Sequence, residues 1–336
     1  MPGRSPPGAW RRRAAWLLVV ALLLGTAVTA AWLGQRNVLD RPGPLPETRA
    51  VVVPHGSVSQ VAALLRQAEV IADEPVFRIA VWLTGGRGAL HAAELAFPAH
   101  GSLRQVLSVL RTAPPIVHRL TIPEGITARQ IAALLNRAEA ATGVVDAPIE
   151  GGVLPQTYDY TYGTPRAAIL ARASAAMDQA LAAAWADRDP GVPLADPRAA
   201  LTLASIVERE TARPDERRHV AAVYLNRIRR GMRLEADPTT AYAVSHGTGA
   251  LDHPLTRADL DSNDPFNTYR HAGLPPGPIC SPGLATIQAV LHPAAGDDLY
   301  FVADGTGGHA FSRTLENHER NVAHWRALTA TRGQAD

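Results

Sequence analysis

The residues best suited to acid–base chemistry in this chain are two glutamates in a helical segment, residues 201–211. Because a helix turns by about 100° per residue, Glu208 shares a face with Ser205 and other small side chains, whereas Glu210 lies on the opposite, apolar face within reach of Arg213. A face of small side chains leaves space for a substrate, which favours Glu208 as a general acid. The alternative is that either glutamate is a solvated surface carboxylate, and helix periodicity alone does not choose between them.

A second group of candidate residues lies in and before a loop that three prolines stiffen, residues 267–279. Asn267 offers paired hydrogen bonds to hydroxyl or acetamido groups, and the ring of Tyr269 can cover the C–H face of a pyranose. Upstream, Asp237 stands directly before Pro238 and can serve either as a helix cap or as a polar contact for a ligand. These side chains are suited to a site that binds sugars.

The last candidate is His309, at the predicted start of the return strand of a hairpin over residues 299–312. His309, His318 and His324 lack the spacing of a metal site, and the single Cys280 excludes a cysteine-based zinc site and an internal disulfide framework. The sequence also has no GxSxG elbow, P-loop or dinucleotide fingerprint. We therefore expect neither a metal nor a cofactor, and covalent hydrolases, NTPases and dehydrogenases are poor interpretations.

The elements that must position these residues follow from local patterns. Three amphipathic runs are each preceded by a capping box, in which a hydroxyl side chain is followed three residues later by glutamine. The pairs are Ser57 with Gln60, Ser102 with Gln105, and Thr127 with Gln130. Runs rich in β-branched residues, 51–53 and 117–122, predict strands. The predicted fold class is α+β.

Residues 14–33 form an uncharged, apolar run that as a helix is long enough to cross a bilayer core of about 30 Å. The preceding cluster of Arg11, Arg12 and Arg13 puts the tail, residues 1–13, in the cytoplasm. We expect a single transmembrane anchor followed by a proline-rich linker at 34–48, with a cleaved signal peptide as the alternative. A formal net charge of +2 argues against a nucleic-acid partner.

Four segments in this order carry a family resemblance: residues 203–211 (LASIVERET), 231–239 (GMRLEADPT), 267–269 (NTY) with 273–278 (GLPPGP), and 300–305 (YFVADG) with 308–312 (GHAFS). With them the chain resembles the endolytic murein transglycosylases of the MltG, or YceG-like, family. The resemblance implies a small LysM-like βααβ subdomain at 49–115 and a mixed α+β catalytic domain at 116–330.

The resemblance also implies that Glu208 is the catalytic acid. Residues expected to contact the substrate are Ser205, Arg233, Glu235, Asp237, Asn267, Thr268, Tyr269, His309 and Phe311. Glu235 stands where glutamine is common in the family, which adds a negative charge near the cleft.

The implied reaction cleaves the MurNAc-β-1,4-GlcNAc bond of nascent peptidoglycan strands and leaves a 1,6-anhydro-MurNAc end. One carboxylate with a raised pKa could protonate the leaving oxygen and then take the proton of the attacking C6 hydroxyl. A muramidase, which needs a second carboxylate such as Glu210, Glu235 or Asp237, is an alternative, as is a non-catalytic peptidoglycan-binding protein. The family implies termination of glycan elongation beside peptidoglycan synthases, on the periplasmic or extracytoplasmic side of the inner membrane.

Overall fold

The computed structural model describes residues 9–85, 88–249 and 251–332. Contacts between residues divide the chain into two units, one that ends at Val117 and one that begins at His118. Both combine helices with small two-stranded sheets, so the predicted α+β class is confirmed.

The first unit has one small antiparallel sheet in its described part. Its elements are α1 (Ala9–Asp40), β1 (Arg49–Val52), α2 (Val58–Gln67), α3 (Glu74–Leu83), β2 (Glu94–Phe97) and α4 (Leu103–Thr112). Strands β1 and β2 pair with Arg49 opposite Phe97. Their inner side chains and those of the helices bury a core that includes Leu65, Phe77 and Leu110.

Helix α1 extends further than the sequence predicted. It continues through Asp40, where Arg104 of α4 donates to the Asp40 carboxylate at 2.7 Å, so the linker begins at Arg41 instead of residue 34. The helix stops there because a residue that precedes a proline, here Pro42, disfavours helical backbone. Against the anchor predicted at 14–33, no helix in the described part of the chain combines the length and apolar character needed to cross a membrane.

The three predicted capping boxes are all present. In each, the hydroxyl accepts from the glutamine backbone N–H, and the glutamine Oε1 accepts from the backbone N–H of the capping residue. The second of these bonds measures 2.8 Å at Ser57, 2.8 Å at Ser102 and 2.9 Å at Thr127.

The second unit holds most of the helices. Its elements are β3 (Val117–Thr121), α5 (Ala128–Asn136), β4 (Thr157–Thr161), α6 (Arg166–Ala186), α7 (Pro197–Glu210), α8 (Arg217–Arg229), α9 (Asp237–Val244), α10 (Arg257–Leu260), α11 (Leu284–Leu291), β5 (Tyr300–Ala303), β6 (His309–Ser312) and α12 (Leu315–Arg332). Strand β3 pairs with β4, and β5 with β6 as the predicted hairpin, with Phe301 opposite Phe311.

Helix α7 is the central helix of this unit. It begins after Asp196, whose carboxylate accepts from the backbone N–H of Ala199 at 2.8 Å, and proline at its first position suits a helix start. From Ala200 to Val207 every residue is buried, because α6, α8 and α11 pack around the helix. Both of its faces are therefore filled along this stretch, and its last residue, Glu210, lines a cavity.

Candidate active site

A cavity of about 420 Å³ lies among the end of α7, α8, the start of α9, the β5–β6 hairpin and α12. The polar and charged side chains that line it are Glu210, Tyr224, Arg227, Glu235, Asp237, Tyr269, His309 and His318. The structure thus brings together Glu235, Asp237, Tyr269 and His309, which the sequence had proposed as substrate contacts. Their role in binding stays a prediction.

Glu210, the last residue of α7, is the candidate acid in this cavity. Its Oε2 is buried and has no hydrogen-bond partner among the described residues, while the Tyr224 hydroxyl donates to the same carboxyl group. Burial and then the negative charge of Asp237 raise the pKa of Glu210 to about 7, against the lowering effects of Tyr224 and Arg227. Near neutral pH a large fraction of Glu210 is therefore a neutral acid that can donate a proton.

Asp237 lies beside this acid but does not cap a helix. Ala236 occupies the N-cap position of α9, no side chain caps that helix, and Asp237 is its first residue, so the predicted capping role is wrong. The Asp237 carboxylate instead accepts from the Tyr269 hydroxyl at 2.7 Å. Burial and Asp237 raise the pKa of Tyr269, which keeps this hydroxyl a donor.

Arg227 of α8 fixes the segment that carries Glu235. Its guanidinium donates to the carbonyls of Leu299 at 2.7 Å and Leu234 at 2.9 Å, and it lies 3.0 Å from Glu235 Oε2. Glu235 has a φ of 53°, a left-handed conformation that is rare outside glycine, and the Arg227 contacts compensate its strain. The extra charge that the sequence predicted near the cleft is thus paired with an arginine.

His309, at the start of β6, lines the cavity and contacts Glu216. Its Nδ1 lies 2.6 Å from Glu216 Oε2, and its backbone N–H donates to Glu216 Oε1 at 3.1 Å. The ring also packs edge-on against Phe301, with centroids 5.2 Å apart. His309 therefore has a fixed orientation at the cavity wall.

Glu208 does not line this cavity. Its Oε2 accepts from the backbone N–H of Gly283 at 2.9 Å, its Oε1 lies 3.6 Å from Arg217 Nη2, and only 6% of the side chain is exposed. Both neighbours are donors that suit a carboxylate, not a carboxylic acid. The surroundings of Glu210 match a general acid better than those of Glu208.

Three other residues expected to bind substrate are buried and hydrogen-bonded within the protein. Ser205 donates to the Thr202 carbonyl at 2.7 Å and accepts from the backbone N–H of Ile279 at 3.0 Å, so the hollow expected on this face of α7 is filled. Asn267 Nδ2 donates to two backbone carbonyls, at 2.8 and 2.9 Å, and its Oδ1 accepts from a hydroxyl and an amide. Thr268 accepts from the backbone N–H of Ala236 at 3.0 Å. Their polar groups are thus engaged within the protein, and their role in substrate binding stays a prediction.

Arg233 and Phe311 also lie outside the cavity lining. Arg233 is exposed and donates to the Tyr269 carbonyl at 3.1 Å, which supports the loop that carries that tyrosine. Phe311 stacks on His219, with centroids 3.6 Å apart and planes 8° from parallel.

The cavity residues Tyr224, Arg227 and His318 escaped prediction. For Arg227 a signal existed, because it follows Tyr224 by three residues and so continues the apolar face of an amphipathic helix. A charged residue on such a face is buried and needs partners, which marks it for attention. Among the described residues no group of three or more His, Cys, Asp or Glu side chains could hold a metal ion.

Comparisons with known proteins all indicate one family. Residues 51–324 match the model of the YceG-like family. A Bacillus subtilis protein named endolytic murein transglycosylase is 26% identical over 301 residues, which cover 80% of this chain and 82% of that protein. A Streptococcus pneumoniae protein of the same name is 27% identical, and the match covers 91% of this chain. The match covers 64% of that longer protein, less than two thirds of its length.

A solved structure is also similar. The crystal structure of a YceG-like protein from Listeria monocytogenes is 27% identical in sequence and superposes with a TM-score of 0.50. The match covers 82% of this chain and 99% of the Listeria chain.

Proposed function

The chain belongs to the YceG-like family, and from this premise we propose that it is an endolytic peptidoglycan lytic transglycosylase. Two relatives that carry that name support the proposal. The observation on which it rests most is the cavity at the end of α7. There Glu210 combines a raised pKa of about 7 with a buried oxygen that no described residue pairs with.

In the proposed reaction the enzyme cleaves the MurNAc-β-1,4-GlcNAc bond within a nascent glycan strand. Glu210 protonates the glycosidic oxygen as the C1–O bond of MurNAc breaks, and positive charge develops on the MurNAc ring. The C6 hydroxyl of the same MurNAc attacks C1 and loses its proton to a base that lines the cavity. The product is a 1,6-anhydro-MurNAc end, and no water is consumed.

The attacking hydroxyl is part of the substrate, so its proximity replaces a bound nucleophile. This difference matters because a glycosidase that uses water needs a second carboxylate to activate it or to attack the sugar. Asp237 lines the same cavity as Glu210, which keeps a muramidase as the second candidate. In this structure Asp237 accepts from Tyr269, and that bond favours a supporting role.

The cellular setting is part of the same proposal. Peptidoglycan lies outside the cytoplasmic membrane, so the catalytic unit is proposed to act on the extracytoplasmic side, where it would terminate glycan elongation beside the synthases. Large apolar side chains of α1 between Trp16 and Leu24 are exposed, which supports attachment of the chain to the membrane through this helix. The order β1, α2, α3, β2 supports a LysM-like subdomain at 49–115.

Product analysis tests the proposal directly. The full chain is incubated with peptidoglycan sacculi, and the released muropeptides are analysed by mass spectrometry. A transglycosylase yields ends that are lighter by one water than reducing ends, whereas a muramidase yields reducing ends in the same positions. Release of neither product would contradict both enzyme assignments and leave the non-catalytic binding protein.

A further inference from the structure

His309 and Glu216 form a couple that the reaction as described does not use. Both oxygens of the Glu216 carboxylate are bound to His309, one to the ring Nδ1 at 2.6 Å and one to the backbone N–H at 3.1 Å. The ring is 16% exposed and lines the cavity that contains Glu210, whereas Glu216 is not part of the lining. Nδ1 is thus bound to Glu216, whereas Nε2 has no hydrogen-bond partner within the described chain.

Glu216 is itself held for this contact. It occupies the N-cap position of α8, but its side chain does not cap that helix and turns to the β5–β6 hairpin instead. Only 13% of the side chain is exposed, the Thr211 hydroxyl donates to its Oε2 at 3.3 Å, and Arg213 Nε lies 3.6 Å from its Oε1. The carboxylate is therefore anchored by two groups besides His309.

Gly308 shows how closely the hairpin approaches this carboxylate. A Cβ at position 308 would lie 2.5 Å from Glu216 Oε1, which is shorter than a real Cβ contact, and 3.0 Å from Arg213 Nη1, which is a tight one. Glycine lets the backbone come close enough for the His309 N–H to reach the carboxylate without displacing the Glu216 side chain. The glycine at position 308 thus favours the close approach of the hairpin backbone to the Glu216 carboxylate.

A carboxylate on Nδ1 has a specific chemical effect on an imidazole. It holds the Nδ1–H tautomer, so that Nε2 carries the lone pair, and it stabilises the imidazolium that forms when Nε2 takes up a proton. On the basis of the proposed function, we infer that His309 is the catalytic base that accepts the proton of the MurNAc C6 hydroxyl. Glu216 is its positioning residue.

The step balances with no added reactant. The C6 oxygen forms a bond to C1, the bond from C1 to the glycosidic oxygen breaks, and that oxygen takes the Glu210 proton. The C6 hydroxyl proton passes to His309 Nε2, which leaves an imidazolium and a Glu210 carboxylate. Exchange of one proton with solvent at each group restores the starting state, so the two tasks expected of one carboxylate are divided between two residues.

Charged and titratable groups face His309 from several elements. Glu216 contacts the ring, Arg213 pairs with Glu216 and with Asp215, and Asp304 accepts from the backbone N–H of Gly308. The groups that line the cavity with His309 are Glu210, Arg227, Glu235, Asp237, Tyr269 and His318. Because activity needs an unprotonated base, kcat/KM of the parent chain should fall at low pH. It should fall again at high pH as Glu210 ionises.

The test uses the full chain and soluble glycan strands of peptidoglycan, with anhydro ends counted over time. His309→Gln should lower kcat by about 100-fold or more, the usual contribution of a general base, leave KM within about threefold, and abolish the low-pH limb of the profile. Glu216→Gln should lower kcat by about tenfold or more with KM unchanged, and Glu216→Asp, which keeps the charge, should recover part of the loss.

The matched control is His292→Gln. His292 also has its Nδ1 on a carboxylate, 2.9 Å from Asp189, but lies outside the cavity, so this variant should keep the parent kcat and pH profile. If His309→Gln and Glu216→Gln keep kcat within about threefold, or keep the low-pH limb, His309 is not the base. Should His309→Gln fail to fold, Glu216→Gln decides by the same readouts. Failure of the proposed function is distinguishable, because the parent chain would then release no anhydro ends.

Discussion

Glu208 and Glu210 are separated by one residue on α7, yet their carboxyl groups have opposite surroundings. Glu208 is bound by the backbone N–H of Gly283 and lies near the Arg217 guanidinium. Glu210 has a buried oxygen with no hydrogen-bond partner in the described part of the chain, and the charge of Asp237 adds to the effect of burial in raising its pKa. The carboxyl group of Glu208 is held by donors within the protein, whereas Glu210 can hold a proton near neutral pH.

This contrast predicts opposite results for the same substitution at the two positions. Glu210→Gln should lower kcat by about 10²–10⁴-fold, because an amide has no proton to give to the leaving oxygen. Glu208→Gln, the matched control, should keep kcat within about threefold, because Glu208 is outside the cavity. Counting anhydro ends released from sacculi measures both. Loss of turnover in Glu208→Gln with turnover retained in Glu210→Gln would return the acid role to Glu208.

The pKa of Glu210 also predicts how activity depends on pH. An acid catalyst must be protonated, so kcat/KM should fall as pH rises above about 7, where Glu210 ionises. Asp237→Asn removes a negative charge that raises this pKa, so the high-pH limb should move to lower pH. Rates on soluble glycan strands between pH 5 and pH 9 locate the limb. Asp252→Asn, at an exposed site outside the cavity, should not move it, and an unmoved limb in Asp237→Asn would exclude this coupling.

Local sequence signals predicted the elements of the fold well. A capping box such as Ser102 with Gln105 is formed by residues three apart, and the hairpin ending at Ser312 is fixed by strands that adjoin in sequence. The choice between Glu208 and Glu210 as the acid, in contrast, could not be made from local sequence signals. Periodicity divides a helix into faces, but α7 is packed on both faces, and the cavity at Glu210 is completed by a hairpin that is distant in sequence.

The contacts of the loop residues could not be predicted from sequence for a related reason. A stiff loop needs internal hydrogen bonds to satisfy its backbone, and the same amide that suits a sugar also suits that task. Asn267 performs the second role, whereas its neighbour Tyr269 reaches the cavity. The sequence does not distinguish these two side chains. Whether each one is buried depends on its contacts with α9 and α10.

The structural role of Asn267 predicts a loss of stability on substitution. Asn267→Ala leaves the carbonyls of Leu260 and Ser262 and the N–H of Tyr269 without their partner, so the free energy of unfolding should fall by about 3 kcal/mol. Urea unfolding followed by tryptophan fluorescence measures it, and Asn317→Ala on the exposed side of α12 should change it little. A raised KM with unchanged stability would instead show that Asn267 binds substrate.

Glu210 should lower the stability of the fold at the pH where it ionises. Its pKa is raised from 4.5 to about 7, so between these values the folded chain holds a proton that the unfolded chain has lost, and the free energy of unfolding falls as pH rises. The full effect, about 3 kcal/mol, is reached above pH 7. Glu210→Gln should therefore be more stable than the parent at pH 8 and similar to it at pH 4.5, by urea unfolding. Exposed Glu316→Gln should show no such difference, and an equal stability of Glu210→Gln and parent at pH 8 would mean that Glu210 is not held in a desolvated site.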